Sequence, residues 1–338
     1  MPHIPSGRRT RANFLLKSDD LINWEYLHPF IEGDHFTLVG DDGACPYFWP
    51  IGDRHILLFY SHMSGGQALV GDYDEERDKF VVTSHHEFNF GPYGPAGVHA
   101  PSATPDGKGG VITIFNMNQG MDNQGWNQIM TLPRRLSLID EEPVGKDMLS
   151  VEPAGDIESL RTNHKDISKM EIPANQEIVL EEIQGDTLEI MAEIETNDSP
   201  MVDLTVFRSP DKEEFTRISF YRNRGFRNWE RYEGWEPGKR LDASDSLISI
   251  DSSYSSLSSD VLSRAPETAP VYLSPDENLT LRIFLDKSVS EVFVNGKQCV
   301  AMRVYPSRAD SKGVSIRSQG TSATLKKLDA WQMKSIYD

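Results

Sequence analysis

The feature that most limits the fold of this chain is its texture of short apolar runs cut by turn residues. RHILLFYSH (54–62), QALVGDYD (67–74) and KFVVTS (79–84) follow one another at hairpin spacing, with SGG and DEERD between them. Runs rich in aromatic and β-branched residues, bounded by Gly, Asp and Ser, read as strands. A second set opens with GVHAPSATPDGKGGVITIFNMN (97–118), where the turn DGKGG precedes the strand GVITIF. NQIMTLPRRLSLI (127–139) reads as a further strand, with Pro133 where pairing relaxes. Repeated four-strand sets with tight turns predict propeller blades, although no fixed sequence period accompanies them.

The texture changes near residue 150. VEPAGDIESLRTNHKDISKM (151–170) sets Ile157, Leu160 and Arg161 at helical spacing and is expected to be a linker with one short helix. After it the strands are longer and alternate better, as in NQEIVLEEI, DTLEIMAEIE and MVDLTVFRS. LTLRIFLDKSVSEVFVNGKQCVAMRVYP (279–306) predicts a hairpin closed by a type I′ turn at Asn295-Gly296. Alternating strands with no helices between them predict a β-sandwich. The expected fold is all-β: part of a propeller over 1–150, a linker over 151–170 and a sandwich over 171–338.

Charge and composition narrow the partners. A net charge of −18 argues against nucleic acid and against an anionic membrane, and leaves a neutral ligand open. Cys45 and Cys299 form no disulfide framework and have no metal-site spacing, so no metal and no cofactor is expected. No run of 18 apolar residues occurs, and MPHIPSGRRTRANFLL at the N-terminus lacks the apolar core of a signal peptide, which predicts a cytoplasmic location for the chain as given. DGKGG (106–110) has neither the spacing nor the following helix of a phosphate loop.

Several stretches together resemble glycoside hydrolase family 32, the invertase, levanase and β-fructosidase family. SDDLINWEY (18–26) resembles its Ser-x-Asp-Leu-x-x-Trp blade end, and ACPYFWPIGD (44–53) its Glu-Cys-Pro-Asp-Phe segment. VHAPSATPDGKGGVITI (98–114) is similar to its Tyr-Ala-Pro-Gln strand, and MTLPRRLSL (130–138) to its Leu-Pro-Arg-Glu-Leu strand. IESLR (157–161), LRIFLDKSVSEVFVNG (281–296) and LDAW (328–331) resemble its linker and sandwich, in family order. The resemblance implies a five-bladed propeller followed by a sandwich, and a carbohydrate substrate of the β-fructoside type: sucrose, levan or inulin.

It also implies a retaining two-carboxylate mechanism, in which one carboxylate attacks the anomeric carbon and a raised-pKa acid protonates the leaving oxygen. Here the chain departs from the family. It contains no Asn-Asp-Pro, the stretch that carries the family's nucleophile, and no Arg-Asp-Pro, which holds sugar hydroxyls. Ala44 stands at the position of the acid, Tyr47 at that of the Asp after the proline, His99 at an aromatic position, Ser102 at the Gln and Asn116 at a Trp. Set against the family, the chain begins where a second blade would end.

Asp42 is the nearest carboxylate to the empty acid position and the candidate acid/base, brought inward by a bulge at Gly43. The bland alternative is a solvated turn. Trp49, His99 and Asn116 are the candidate sugar-binding residues, with a structural histidine as the alternative for His99. Cys45 is expected to pack, and His85 and His86 to lie in a solvated loop. NRGFRNWERYEGWEPGKR (223–240) interleaves Arg with Phe226, Trp229, Tyr232 and Trp235, either to stack sugars or to pack a loop on the propeller. Three readings follow. The chain is the C-terminal part of a β-fructosidase-like enzyme and inactive alone, or a non-catalytic carbohydrate-binding protein, or a hydrolase with relocated carboxylates. An open propeller edge predicts self-association or a partner chain.

Overall fold

The two strand textures become two architectures. The computed structural model describes residues 13–38, 40–92, 94–122, 125–141, 145–225 and 245–337. β1 (Phe14–Lys17) and β2 (Glu25–Pro29) form a two-stranded antiparallel hairpin. β3 (Ile31–Glu32) joins, in parallel, the outer edge of a blade made of β4 (Ala44–Ile51), β5 (Arg54–Ser61), β6 (Gly65–Asp74) and β7 (Lys79–Glu87), antiparallel in chain order. The second blade contains β8 (Val98–Pro105), β9 (Val111–Met117), β10 (Ile129–Met130), β11 (Arg134–Glu141) and β12 (Gly145–Pro153).

The middle strands of the first blade read as unbroken apolar runs because both of their faces are covered. Ile56, Leu58, Ala68 and Val70 pack with Val98, Val111 and Phe115 of the second blade. Leu57, Phe59 and Leu69 pack on the other side with Phe80 and Val82. Gly71 sits at a bulge in β6, where an added Cβ would lie 2.1 Å from the Val81 carbonyl oxygen, so only glycine fits.

The sandwich is two antiparallel sheets. Its first sheet holds β13 (Arg161–Ile167) and β14 (Met170–Ile172), and its second begins with β15 (Glu177–Gln184). They continue through β16 (Thr187–Glu195), β17 (Met201–Arg208), β18 (Thr216–Tyr221), β19 (Ser246–Asp251) and β20 (Glu267–Val271). The chain ends with β21 (Leu279–Asp286), β22 (Val289–Val294), β23 (Gln298–Arg303), β24 (Gly313–Gln319) and β25 (Ala323–Met333). The orders are β13-β25-β16-β21-β22-β23, with β14 also on β25, and β15-β24-β17-β18-β19-β20. Ile190, Leu204, Ile218, Ile250, Ile283 and Ile316 meet in the core between them. Asn295 and Gly296 have φ of 51° and 63°, and the Lys297 N–H donates to the Val294 carbonyl, as a type I′ turn requires.

The linker is shorter than the sequence predicts. β12 runs to Pro153, and the expected helix is one 3-10 turn over Ile157–Leu160. β13 and β14 already pair with β25. A short isolated helix gains little, whereas 161–172 on the edge of β25 gains a hydrogen-bond ladder. Arg161 also donates to Glu189 Oε2 at 2.7 Å and lies over the Trp331 ring at 4.1 Å.

The halves share a buried seam. Phe284, Phe293, Cys299 and Ala301, on the outer face of the first sheet, join the blade core at Phe115, Leu149 and Val151. Across the seam Arg134 Nη2 donates to Glu291 Oε2 at 2.8 Å with both groups buried, and the guanidinium lies over the rings of Phe115 and Phe293.

Candidate functional site

Antiparallel order brings the starts of β4 and β8 to the same end of the blades as the finishes of β5, β7 and β9. Ala44 pairs with Tyr60, and His99 with Asn116. Both inner strands are bulged there, between Ala44 and Tyr47 and between His99 and Pro101. Cys45 and Ala100 take left-handed φ of 50° and 43°. Bulges of this kind re-aim side chains and concentrate beside functional sites.

The acidic run is divided by the fold. Asp41 is buried and accepts from Ser61 Oγ and Ser64 Oγ at 2.6 Å each and from the Leu38 N–H at 2.7 Å, so it staples the loop. Asp42 accepts from the His62 N–H at 3.0 Å and meets His62 Nδ1 at 2.5 Å. The carboxylate therefore places the ring proton on Nδ1 and leaves Nε2 on a side chain that is 63 % exposed. Burial pushes the Asp42 pKa up, but the bonds and charge of His62 outweigh it and hold the carboxyl below its ordinary value. Gly43 takes a φ of 61°, but the bulge expected there lies further on, between Ala44 and Tyr47.

Tyr60 connects the blades: its ring centroid lies 4.7 Å from that of His62 and 5.4 Å from that of His99. His99 is buried and hydrogen-bonds Asn118. Burial pulls its pKa down, Asn118 opposes this, and nearby His62 adds to it, leaving a neutral ring at pH 7. Asn116 stands opposite His99, half-buried. At the same end Glu87 has its pKa raised, first by burial and then by the carboxylates of Asp41 and Glu267.

Of the residues expected at the site, Asp42 is linked to His99 through His62 and Tyr60, the residue paired with Ala44, and Asn116 stands opposite His99. Trp49 stands apart: its Nε1 donates to the Ala103 carbonyl at 3.3 Å, and its ring packs in the seam between the inner strands. Cys45 is exposed at the bulge, so it does not pack. His85 and His86 lie on β7, not in a solvated loop. His85 Nε2 meets Gln67 Oε1 at 2.6 Å, and burial drives the His86 pKa down to about 3. Phe226, Trp229, Tyr232 and Trp235 lie outside the described residues. Tyr60, His62, Asn118 and Glu87 were not singled out in the sequence. The turn at Gly52-Asp53 fixes Ile51 opposite Arg54, but the bulge then shifts the count that would place Tyr60 beside Ala44.

The cluster offers donors and acceptors for hydroxyl groups, and an exposed imidazole oriented by a carboxylate. Retaining two-carboxylate hydrolysis asks for a pair about 5–5.5 Å apart, with the acid's pKa raised. Here a methyl group occupies the acid position, and Asp42 is shifted the wrong way for a proton donor. Among the described residues no cluster of three or more His, Cys, Asp or Glu could hold a metal ion.

Residues 6–152 match the family described as glycosyl hydrolases family 32 N-terminal domain, and residues 156–332 match glycosyl hydrolases family 32 C terminal. A fructan 1-exohydrolase from Leymus chinensis is 24% identical over 392 aligned residues, covering 96% of this chain and 60% of that protein. A sucrose-6-phosphate hydrolase from Escherichia coli is 26% identical, covering 86% of this chain and 55% of that protein. The chain thus spans little more than half the length of these relatives. The crystal structure of fructan 1-exohydrolase IIa from Cichorium intybus superposes with a TM-score of 0.76 at 19% identity, over 96% of this chain and 67% of that one. Exo-inulinase from Aspergillus awamori gives 0.72 at 15% identity, over 95% and 62%. At this identity the likeness shows the fold: blades of a β-propeller followed by a β-sandwich.

Proposed function

The chain belongs to glycosyl hydrolase family 32, and from that premise we propose that it recognises β-fructosides at the blade end without itself cleaving them by two-carboxylate chemistry. The observation that carries the reading is the cluster around Ala44. The groups that meet hydroxyls are gathered there, on His99, Asn116, Asn118, Tyr60 and His62, while the acid is replaced by a methyl group. Sucrose, inulin and levan are the substrate class, as in the relatives whose names specify sucrose-6-phosphate and fructan. Neutral His99 and the two asparagines suit a neutral sugar.

The reading in which catalysis is relocated has one specific support, the Asp42–His62 pair. Asp42 would orient the imidazole, and His62 Nε2 would carry the proton. Of the carboxylates at this end, Asp41 is held by Ser61, Ser64 and the Leu38 N–H, so Glu87, whose pKa is raised, is the second carboxylate that this reading would need.

Binding tests the proposal. Sucrose titrated into the full chain by calorimetry should bind saturably. A His99→Ala, Asn116→Ala variant with an unchanged melting profile should bind roughly tenfold or more weakly, the effect of losing hydrogen bonds in a partly buried site. Equal affinity in both proteins would remove the blade end as the sugar site.

A further inference from the structure

The second sandwich sheet carries a polar feature that the blade site does not use. Alternation sends Val202, Leu204, Val206, Ile218, Phe220 and Ile316 into the core. Asp203 and Thr205 of β17, Arg217 and Ser219 of β18, and Ser315 and Arg317 of β24 therefore face outward, paired across the strands. Outward polar residues of a sheet are ordinarily wet, yet Asp203, Thr205, Ser219 and Ser315 are all buried. Asp203 and Thr205 floor a cavity of about 200 Å³ walled by Glu177, Lys212, Phe215, Arg217 and Arg317. The blades pack on β21–β23 of the other sheet, so this cavity is on the far side of the sandwich.

Its hydrogen-bonding capacity is unevenly used. The Glu177 carboxylate is filled by Lys212 Nζ at 2.8 Å, Arg208 Nε at 3.1 Å and Ser315 Oγ at 2.6 Å. Asp203 Oδ1 accepts from Ser219 Oγ at 2.6 Å, but Oδ2 faces Arg317 Nη1 at 3.9 Å, beyond hydrogen-bond range. Arg217 Nη2 donates to Asp251 Oδ2 at 2.9 Å, while its buried Nε donates to nothing. Burial also holds the Asp203 carboxyl above its ordinary pKa despite the Ser219 bond and the nearby cations, as befits a carboxylate short of donors. The buried donor Arg217 Nε, without a partner, and the carboxylate of Asp203, with one oxygen beyond hydrogen-bond range of Arg317, thus line the same cavity, and the unpaired donor costs free energy until a ligand or water fills it.

We propose that this cavity is a sugar subsite that takes a vicinal diol of one monosaccharide unit. Asp203 Oδ2 would accept from one hydroxyl, Arg217 Nε and Arg317 would donate to the neighbouring oxygens, and the apolar side of the sugar would meet the edge of Phe215, whose ring stacks on Tyr254 and carries Lys212 Nζ at 5.3 Å. Lys212, Arg217 and Arg317 of the lining face Glu177 and Asp203, with Arg208 on Glu177 and Asp251 on Arg217 behind them, so one positive charge is left over and inorganic phosphate is the ligand that competes with a sugar. A cavity of about 200 Å³ suits one ring, below the roughly 300–1,000 Å³ of pockets for larger ligands. The wall is preorganised. Phe215 stacks on Tyr254 with centroids 5.2 Å apart, and the loop bearing Lys212 and Phe215 is tied down by buried Glu214. The inference rests on this cavity alone and not on the reading of the blade end.

The test uses the full chain carrying His99→Ala and Asn116→Ala, so that the blade site is disabled and its failure is read separately. Fructose and glucose are titrated by calorimetry, beside the same protein with Asp203→Asn and, separately, with Phe215→Ala. Asn keeps the size of Asp203 and the Ser219 bond. If that variant melts early, Phe215→Ala, at the rim, supplies the same readout. At least one sugar should bind saturably in the millimolar range, and each substitution should weaken it roughly tenfold or more. Three results would overturn the proposal: no saturable binding up to about 100 mM sugar, equal affinity in the variants, or inorganic phosphate binding more tightly than either sugar.

Discussion

At the scale of the residue, single carboxylates organise much of this molecule. Glu214 is fully buried and accepts from the Leu257 N–H at 2.8 Å, the Ser307 and Arg308 N–H groups at 3.0 Å each and Ser311 Oγ at 2.7 Å, and also from Ser307 Oγ. Burial pushes its pKa up, but these donors win and hold it down to about 2. Because the folded pKa lies below the unfolded value of about 4.3, this stabilisation is complete above that pH. It is lost as pH falls from about 4.5 toward 2. Glu214→Gln should cost roughly 1–3 kcal/mol at pH 7, and the gap from the parent chain should narrow at pH 3. Urea unfolding at both pH values checks this, and an equal gap at both would refute it. Little of this was legible in the sequence. In SPDKEEF nothing separates Glu214 from exposed Glu213, because the partners of Glu214 lie more than 40 residues away.

At the scale of the element, the seam is governed by one ion pair. Arg134 and Glu291 are sealed from water, so removing one partner strands the other charge. Arg134→Met should cost roughly 3–5 kcal/mol, and Arg134→Met with Glu291→Leu clearly less than the sum of the two single changes. Chemical unfolding of the four proteins reads the coupling, and simple additivity would contradict it. Strands marked by an unbroken apolar run or by a specific turn pair were legible: RHILLFYS, QALVGDYD and the Asn295-Gly296 hairpin all stand where their patterns put them. Features set by a distant neighbour were not. Nothing in VSEVFV marks Glu291 as buried, yet β22 is buried along its length because a blade covers its outer face. The pairing of β13 with β25 was hidden for the same reason, as were the inner-strand bulges that bring His62 and Tyr60 to Ala44.

At the scale of the whole molecule, two forces compete at the hairpin β1–β2. Phe14, Leu16, Trp24 and Tyr26 are all exposed there, with Leu21 and Ile22 in the turn. Contiguous apolar surface of this kind favours association, while a net charge of −18 opposes it. We therefore predict self-association through the hairpin that strengthens as salt screens the charge, and that Leu16→Glu weakens. Sedimentation equilibrium at low and high salt measures it, and a monomer at every salt concentration would contradict it. The blade-and-sandwich order was readable from strand texture and from the seven stretches in family order. The working state of the site was not, because it depends on how Asp42, one residue from Gly43, is turned. Fructose release in sucrose at a concentration that saturates binding tests the central claim most directly, with the parent chain and Asp42→Asn side by side. The account predicts bound, intact sucrose and no release above the uncatalysed rate in either protein. Release by the parent chain that disappears in Asp42→Asn would contradict it and put the Asp42–His62 pair at the centre of a relocated hydrolysis.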